Sequence, residues 1–491
     1  MRVLSRRHLL KGGAGIAGAA ALAACGATPT PQIIEKEKVV TQVVEKEVTK
    51  IVEGTPQVVK ETVVVENTVV VEKEVEKVVE VTAVAAPVEI RVAFYIMGES
   101  WMANADEAIK DFESKNPGIK VAIEWRPGDE YWTKLQTEFA GGTAPDVSVN
   151  QMDWVIPGAA RGMWLDLKPY VDRDGFDMSQ YFYNMSLEWE WQGGLYGGLL
   201  YAGGQALYVN KDLLAKAGLE FPQEGWTWDD LLSYAQAMTI PEENQWGIGG
   251  ANWNPPYWSS SFIHGAGGTV LNDAYNKCAL TEDPAREGLQ WIVDLMFKHN
   301  VHPSALTETG GEDPFLTGKM GMQFNGTWFE SQTRDANLFD WDFAPMPVHP
   351  VTGKKFVQMG SNSWSILANT QHREEAWQFV KFMMGPEGQT WMMKYGVPGI
   401  TSVIESQAYK DLHAPQNIGV LIADFGCCGH DYYPTADSGE WWNVCGQELS
   451  PIWSGELTVE EATANACVAM DEVFSRRPPF YEKEKQSLTT G

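Results

Sequence analysis

The sequence predicts an α/β body, and three observations carry that prediction. Short β-rich runs alternate with amphipathic stretches from residue 88 onward. Gly and Pro punctuation separates them, as at Asn116-Pro117-Gly118, Gly141-Gly142 and Gly385-Pro386. All 56 aromatic residues of the 491 fall within 88–491, so the large side chains that offset ordering entropy are confined there.

The elements follow in order. Residues 88–96 (VEIRVAFYI) read as a strand, and 105–116 as a helix with Ala108, Ile109 and Phe112 on one face. Residues 119–125 give a second strand, 130–140 a second helix and 146–149 a short third strand. Strand and helix in alternation imply βαβ crossovers and a mostly parallel sheet. In such sheets ligands gather beyond the carboxyl ends of strands. The loops 97–101 (MGESW) and 150–154 (NQMDW) are therefore the ones to watch. Further on, 206–210 is a strand and 211–217 a helix stopped by Gly218. Thr227 is placed to cap a helix over 228–238, with Asp229 and Asp230 where the helix dipole favours them. A long amphipathic helix spans 284–299, strands fall at 320–324 and within 356–368, and helices at 374–384 and 459–474.

The first 87 residues are of another kind. Ser5-Arg6-Arg7-His8-Leu9-Leu10-Lys11 is a twin-arginine export pattern, followed by an uncharged run from Gly12 to Ala24. That run is too short to span a bilayer, and it closes on Leu22-Ala23-Ala24-Cys25-Gly26, which resembles the lipobox of bacterial lipoproteins. The resemblance implies cleavage before Cys25, lipid on that residue and an extracytoplasmic, membrane-anchored chain. Residues 31–87 contain 19 Val, 11 Glu and 7 Lys, with VVEKEV at both 43–48 and 70–75. Such a stretch reads as a tether. Val40, Val44, Val48 and Ile51 have the spacing of a coiled-coil seam, whereas Val63-Val64-Val65 and Val69-Val70-Val71 favour extended chain, which would reach about 200 Å at about 3.3 Å per residue.

Charge narrows the partners. The export segment (1–25) nets +4 and the tether (26–87) −4, so the whole −28 belongs to the body. That balance argues against nucleic acid and against an anionic lipid surface.

Five motifs in order carry a resemblance over nearly all of 88–480. Gly141-Gly142-Thr143-Ala144-Pro145-Asp146-Val147 resembles the G-x-x-P-D-hydrophobic stretch of extracellular solute-binding proteins, the maltose- and sugar-binding receptors of ABC importers. Leu195-Tyr196-Gly197 with Leu207-Tyr208-Val209-Asn210-Lys211-Asp212-Leu213, and Phe315-Leu316-Thr317-Gly318-Lys319-Met320-Gly321-Met322 with Asn325-Gly326-Thr327-Trp328, are similar to two more. Trp341-Asp342-Phe343-Ala344-Pro345-Met346-Pro347, and Ala376-Trp377-Gln378-Phe379 leading to Gly385-Pro386-Glu387-Gly388, complete the set. The resemblance implies a two-lobed periplasmic-binding-protein-like fold of type II. Each lobe would be a mostly parallel sheet flanked by helices: 88–200 with about 356–400, and 201–355 with about 401–491. The lobes would be joined by crossings near 201–205 and 356–363, with solute trapped between them. It implies an ABC permease as partner, no cofactor and no catalysis.

Carried onto this sequence, the resemblance places Glu99, Ser100, Trp101, Asn150, Asp153 and Trp154 in the cleft-facing loops of the first lobe. It places Tyr201 and Gln205 at the first crossing and Ser361, Asn362 and Trp364 at the second. Trp328 falls where the family has an aromatic platform. For Trp253 and Trp258 the cleft and the core both remain open, while Trp291 and Trp377 sit on helix faces and read as core. Indole rings with acid and amide groups suit a sugar, whose apolar face stacks and whose hydroxyls need partners. A cationic ligand fits an acidic, ring-lined site as well. No basic residue occurs in the two first-lobe loops, which disfavours a phosphorylated or carboxylated ligand.

Enzymatic motifs are absent: the sequence has no G-x-S-x-G, H-E-x-x-H or P-loop. Glu188 and Glu190, two apart on a strand, would point the same way, and a glycosidase pair would need a carboxylate facing them. An anchored adhesion protein and a surface glycosidase stay as alternatives to the receptor, and a monomer is the default. His299 and His302 read as helix-end groups rather than metal ligands. Five cysteines follow Cys25; in an exported chain Cys427 or Cys428 is expected to pair with Cys445.

Overall fold

The computed structural model describes residues 43–52, 55–64, 86–96, 99–182, 188–252, 256–304, 313–394, 396–413, 416–430, 433 and 435–477. The export segment and Cys25 lie outside the described residues, as do Trp253 and most of the tether. Two compact units are present, one within 1–84 and one within 85–491.

In the first unit, β1 (Val43–Val52) and β2 (Thr55–Val64) pair antiparallel, from Val43 opposite Val64 to Val52 opposite Thr55. The coiled-coil seam is thus not formed at Val44, Val48 and Ile51, which belong to a strand. Stiff β-branched residues favour that outcome. The ribbon also folds back, so the fully extended reach does not apply to 43–64.

The second unit begins with β3 (Val88–Tyr95), β4 (Ile119–Arg126) and β5 (Val147–Asn150). A short ribbon, β6 (Glu190–Trp191) and β7 (Gly194–Leu195), precedes β8 (Gly198–Tyr201) and β9 (Gln205–Asn210). Then come β10 (Trp246–Gly249), β11 (Met320–Gly326), β12 (Trp341–Ala344), β13 (Val357–Gln358), β14 (Asn362–Ile366) and β15 (Gly429–His430). A five-stranded sheet has the order β4-β3-β5-β14-β8, and a four-stranded sheet the order β10-β11-β9-β12. Both are mixed rather than mostly parallel. β3 runs parallel to β4 and β5, and β10 to β11. β14 runs against β5 and β8, and β9 against β11 and β12. The reversed strands are those that adjoin a crossing, where the chain enters a sheet from the other lobe instead of over a helix.

Every residue of β5, β8, β9 and β14 is buried, as expected of strands covered on both faces. Helices Glu99–Lys115 and Arg373–Met384 flank the first sheet. Helix Trp228–Met238 packs on the second, and its N-terminus carries the expected cap: Thr227 and Asp230 satisfy each other's backbone N–H groups. Two helices begin where loops were expected. Glu99–Lys115 starts six residues before the apolar period becomes visible, and Met152–Ala160 takes up the 150–154 loop. Glu99, Ser100 and Trp101, and likewise Asp153 and Trp154, therefore stand in first helical turns.

The crossings are narrow and glycine-built. Gly360 N–H donates to the Gly203 carbonyl at 3.0 Å, and Gly204 bridges Met359. A Cβ on Gly203 would collide with that Gly360 carbonyl, so close backbone approach demands glycine there. Sequence reading missed a third participant: β15 runs parallel to β13, laying residues 429–430 beside the second crossing.

Cysteine pairing also differs from expectation. Cys278 pairs with Cys467 across 189 residues, and Cys427 pairs with its neighbour Cys428. Cys445 is a free, buried thiol on helix Ser438–Leu449, and burial pushes its pKa up.

Candidate functional site

The carboxyl end of β3, the end of β8 and the start of β14 meet at the crossings, and their side chains form one network. Asn362 is buried, and its amide donates to the hydroxyls of both Tyr95 and Tyr201, the latter at 3.1 Å. Burial, followed by the neighbouring Tyr201 and Tyr131, holds the Tyr95 phenol well above its ordinary value, so it remains a neutral hydroxyl. Tyr201 in turn meets Trp101 with ring centroids 5.5 Å apart, and Trp101 leans on Phe94 at 6.1 Å. Ser361 donates its N–H to Glu188 Oε2 at 3.0 Å. Glu188 is buried and Glu190 exposed, so the two do not share a face as their spacing suggested.

Helix Met152–Ala160 presents Asp153 and Trp154. Trp154 is half-buried and nearly parallel to two rings, Tyr131 at 5.7 Å and Trp132 at 5.3 Å. Asp153 is also half-buried; burial pushes its carboxyl up to about 7, and its own backbone N–H is the one group opposing that shift. Burial holds the Tyr257 phenol well above its ordinary value, and Glu188, Tyr201 and lastly Asp153 add to that; Asp153 is likewise a minor contributor at Tyr95.

The second sheet contributes rings. Tyr257 and Trp258 follow β10, and Trp328 follows β11. Trp258 is fully buried and stacks on half-buried Trp328 at 5.8 Å and 17°, with Tyr257 tilted against it at 4.5 Å. Gln205 accepts from Ser261 Oγ and sends its amide toward the Trp258 carbonyl at 3.5 Å, which fixes the ring-bearing segment. The Tyr257 hydroxyl reaches the second crossing, where a Cβ on Gly360 would collide with it and with Met152.

Of the residues named from sequence, Trp101, Asp153, Tyr201, Gln205, Trp258, Ser361 and Asn362 lie at or beside the crossings, Trp154 is linked to them through Tyr95 at 6.3 Å, and Trp328 through Trp258. Asn150 is buried and turned to Ser148, 3.2 Å away. Trp364 belongs to the core, edge-on to Phe94 at 5.6 Å and Phe379 at 5.4 Å. The side chains of Glu99 and Ser100 are outside the described residues. Tyr95, Tyr131, Trp132, Glu188 and Tyr257 were missed as members of this neighbourhood. Tyr95 had a usable signal, since it ends a strand whose carboxyl end faces the site.

The assembled groups are neutral hydroxyls, amides, two carboxyls and stacked rings. They suit hydrogen bonding to a polyhydroxylated solute with stacking on its apolar face. His302 is buried, accepts from Ala251 N–H at 3.3 Å, and has its pKa lowered to about 4 by burial. Among the described residues no cluster of three His, Cys, Asp or Glu could hold a metal, and no helix is long and apolar enough to cross a membrane.

A two-lobed α/β body with a polar and aromatic site at its crossings defines a solute-binding protein. The family model for bacterial extracellular solute-binding proteins matches residues 97–390, and the chain belongs to that family of binding proteins. A putative binding protein of Brucella abortus is 26% identical over 298 residues, covering 59% of this chain and 70% of that one. An ABC substrate-binding protein of Listeria monocytogenes, solved with cycloalternan, superimposes with a TM-score of 0.72 at 23% identity, over 80% of this chain and all of that one. A Thermotoga lettingae solute-binding protein bound to α-D-tagatose gives 0.69 at 20% identity, over 79% and 100%.

Proposed function

We propose that this chain is a membrane-anchored extracytoplasmic receptor that captures a mono- or oligosaccharide by lobe closure and delivers it to an ABC-type permease. The anchor is lipid on Cys25, and the tether holds the body off the membrane. The lobes comprise 88–200 with about 356–400, and 201–355 with about 401–491. The binding groups are Trp101, Asp153, Trp154, Tyr201, Gln205, Trp258, Trp328, Ser361 and Asn362, joined by Tyr95 and Tyr257; no covalent chemistry occurs.

The observation that carries this reading is the meeting of two groups at the glycine crossings: Tyr257 and Trp258, stacked with Trp328, reach Gly360 and Gln205, where Asn362 joins Tyr95 and Tyr201. Membership in a family of binding proteins and the sugars held by the Listeria and Thermotoga proteins support it. Thermal shift and calorimetry against neutral oligosaccharides, with polyamines and peptides as controls, test it. A saccharide that raises the melting temperature and is recovered intact is the expected result. A response confined to polyamines, or release of a cleaved product, would overturn it. For the anchor, Cys25→Ser should move the protein from the membrane to the soluble fraction.

A further inference from the structure

We infer that Arg334 is a positioning residue for ligand capture, a latch that holds the two lobes together next to the first crossing; this rests on the receptor reading above. Arg334 lies on helix Phe329–Ala336, which begins directly after Trp328 and packs with β11 of the second sheet. Its Nη1 sits 3.0 Å from both carboxylate oxygens of Glu330, one turn earlier, and Glu330 is almost fully buried. A buried ion pair gives little net stability, because desolvation of both charges offsets their attraction. What the pair does achieve is orientation. With Nη1 fixed on Glu330, Nη2 is aimed at the Lys394 carbonyl and donates to it at 2.9 Å.

That acceptor belongs to the other lobe. Lys394 follows helix Pro386–Met392, which packs on helix Glu99–Lys115 and on β8 of the first sheet. Lys394 lies just past the Met393 cap of that helix, and a charged guanidinium donating to a backbone carbonyl makes a stronger bond than a neutral donor would. Three residues later Val397 bridges Ala202, its carbonyl accepting from Ala202 N–H at 2.8 Å inside the first crossing. The same helix therefore starts at the Trp328 platform and ends, through Arg334, on the segment flanking the hinge. A rotation that parts Arg334 from Lys394 has to stretch or break this bond, so the bond favours the interlobe arrangement in which it is made and slows ligand escape from it.

The test uses the full chain carrying Glu330→Gln with Arg334→Met, which removes the latch without leaving a buried charge unpaired. Spin labels at exposed Lys110 and Lys216, one on each lobe (Lys110→Cys, Lys216→Cys), report the interlobe distance. In the ligand-free chain the double variant should shift the distance distribution to longer values. With a saccharide bound, its dissociation rate should rise about tenfold or more, as for a lost charge-assisted hydrogen bond, while the association rate stays within about twofold. Unchanged distances with an unchanged dissociation rate would overturn the latch. If the parent chain binds no saccharide the receptor reading fails, and the distance measurement alone still decides for or against the latch.

Discussion

On the first-sheet side of the crossings the site is tied by hydrogen bonds; on the second-sheet side it is packed. Tyr95 and Tyr201 share the amide of Asn362, and Ser361 is held by Glu188. Across from them Trp258 lies under Trp328, with Tyr257 tilted against it. The two sides are thus rigid for different reasons. One resists change because an unpaired buried hydroxyl is costly, the other because a removed ring leaves a cavity. The contrast is one of emphasis, since Trp154 also stacks on Tyr131 and Trp132 on the first side and Gln205 hydrogen-bonds Ser261 on the second.

Four changes would break or sharpen the contrast. The largest effect is expected from Trp258→Ala, which should cost about 3–5 kcal/mol of stability by denaturant unfolding, because the ring is fully buried. A cost below about 1 kcal/mol would show that this side is not held by packing. Asn362→Leu should cost about 1–3 kcal/mol, since two phenols lose a common donor inside the protein; near-neutrality would mean that the first side is not held by hydrogen bonds. Trp328→Ala should weaken saccharide binding by about tenfold, on the order of 1.5 kcal/mol of ring stacking, with little change in unfolding. Equal losses in stability and affinity would instead make Trp328 a packing residue.

The fourth change concerns Asp153, and its effect depends on pH. Its carboxyl titrates near 7 in the folded chain, above the ordinary 3.8, so the folded state binds the proton more tightly than the unfolded state. Stability from this group is therefore present at acid pH and is lost as pH rises from about 4 through 7. Asp153→Asn should leave the melting temperature near that of the parent at pH 4 and exceed it increasingly through pH 7, levelling off by about pH 8. A pH-independent difference would contradict the burial of this carboxyl.

Much of this molecule was legible from residue order because its signals are local. The Thr227 cap, the helix behind it, strands such as β9 and β11, and the five motifs need only neighbours along the chain. Trp364 shows where that legibility stops. In β14 all five residues are buried, so alternation cannot say which side chain faces the crossings and which faces Phe94 and Phe379. Helix Glu99–Lys115 begins with ESWMAN, which lacks an apolar period, and so its first turn read as a loop.

Residue order by itself determined the family, the alternation of strand and helix and the segregation of every aromatic ring into the body. Tertiary structure alone decided that Cys278 meets Cys467 rather than leaving a partner for Cys445, that Glu188 and Glu190 part company, and that Arg334 reaches Lys394. Each of those depends on which distant segments are brought within a few ångströms. Local propensity carries no record of such distances, because they are set by how the sheets and helices of two lobes share one core.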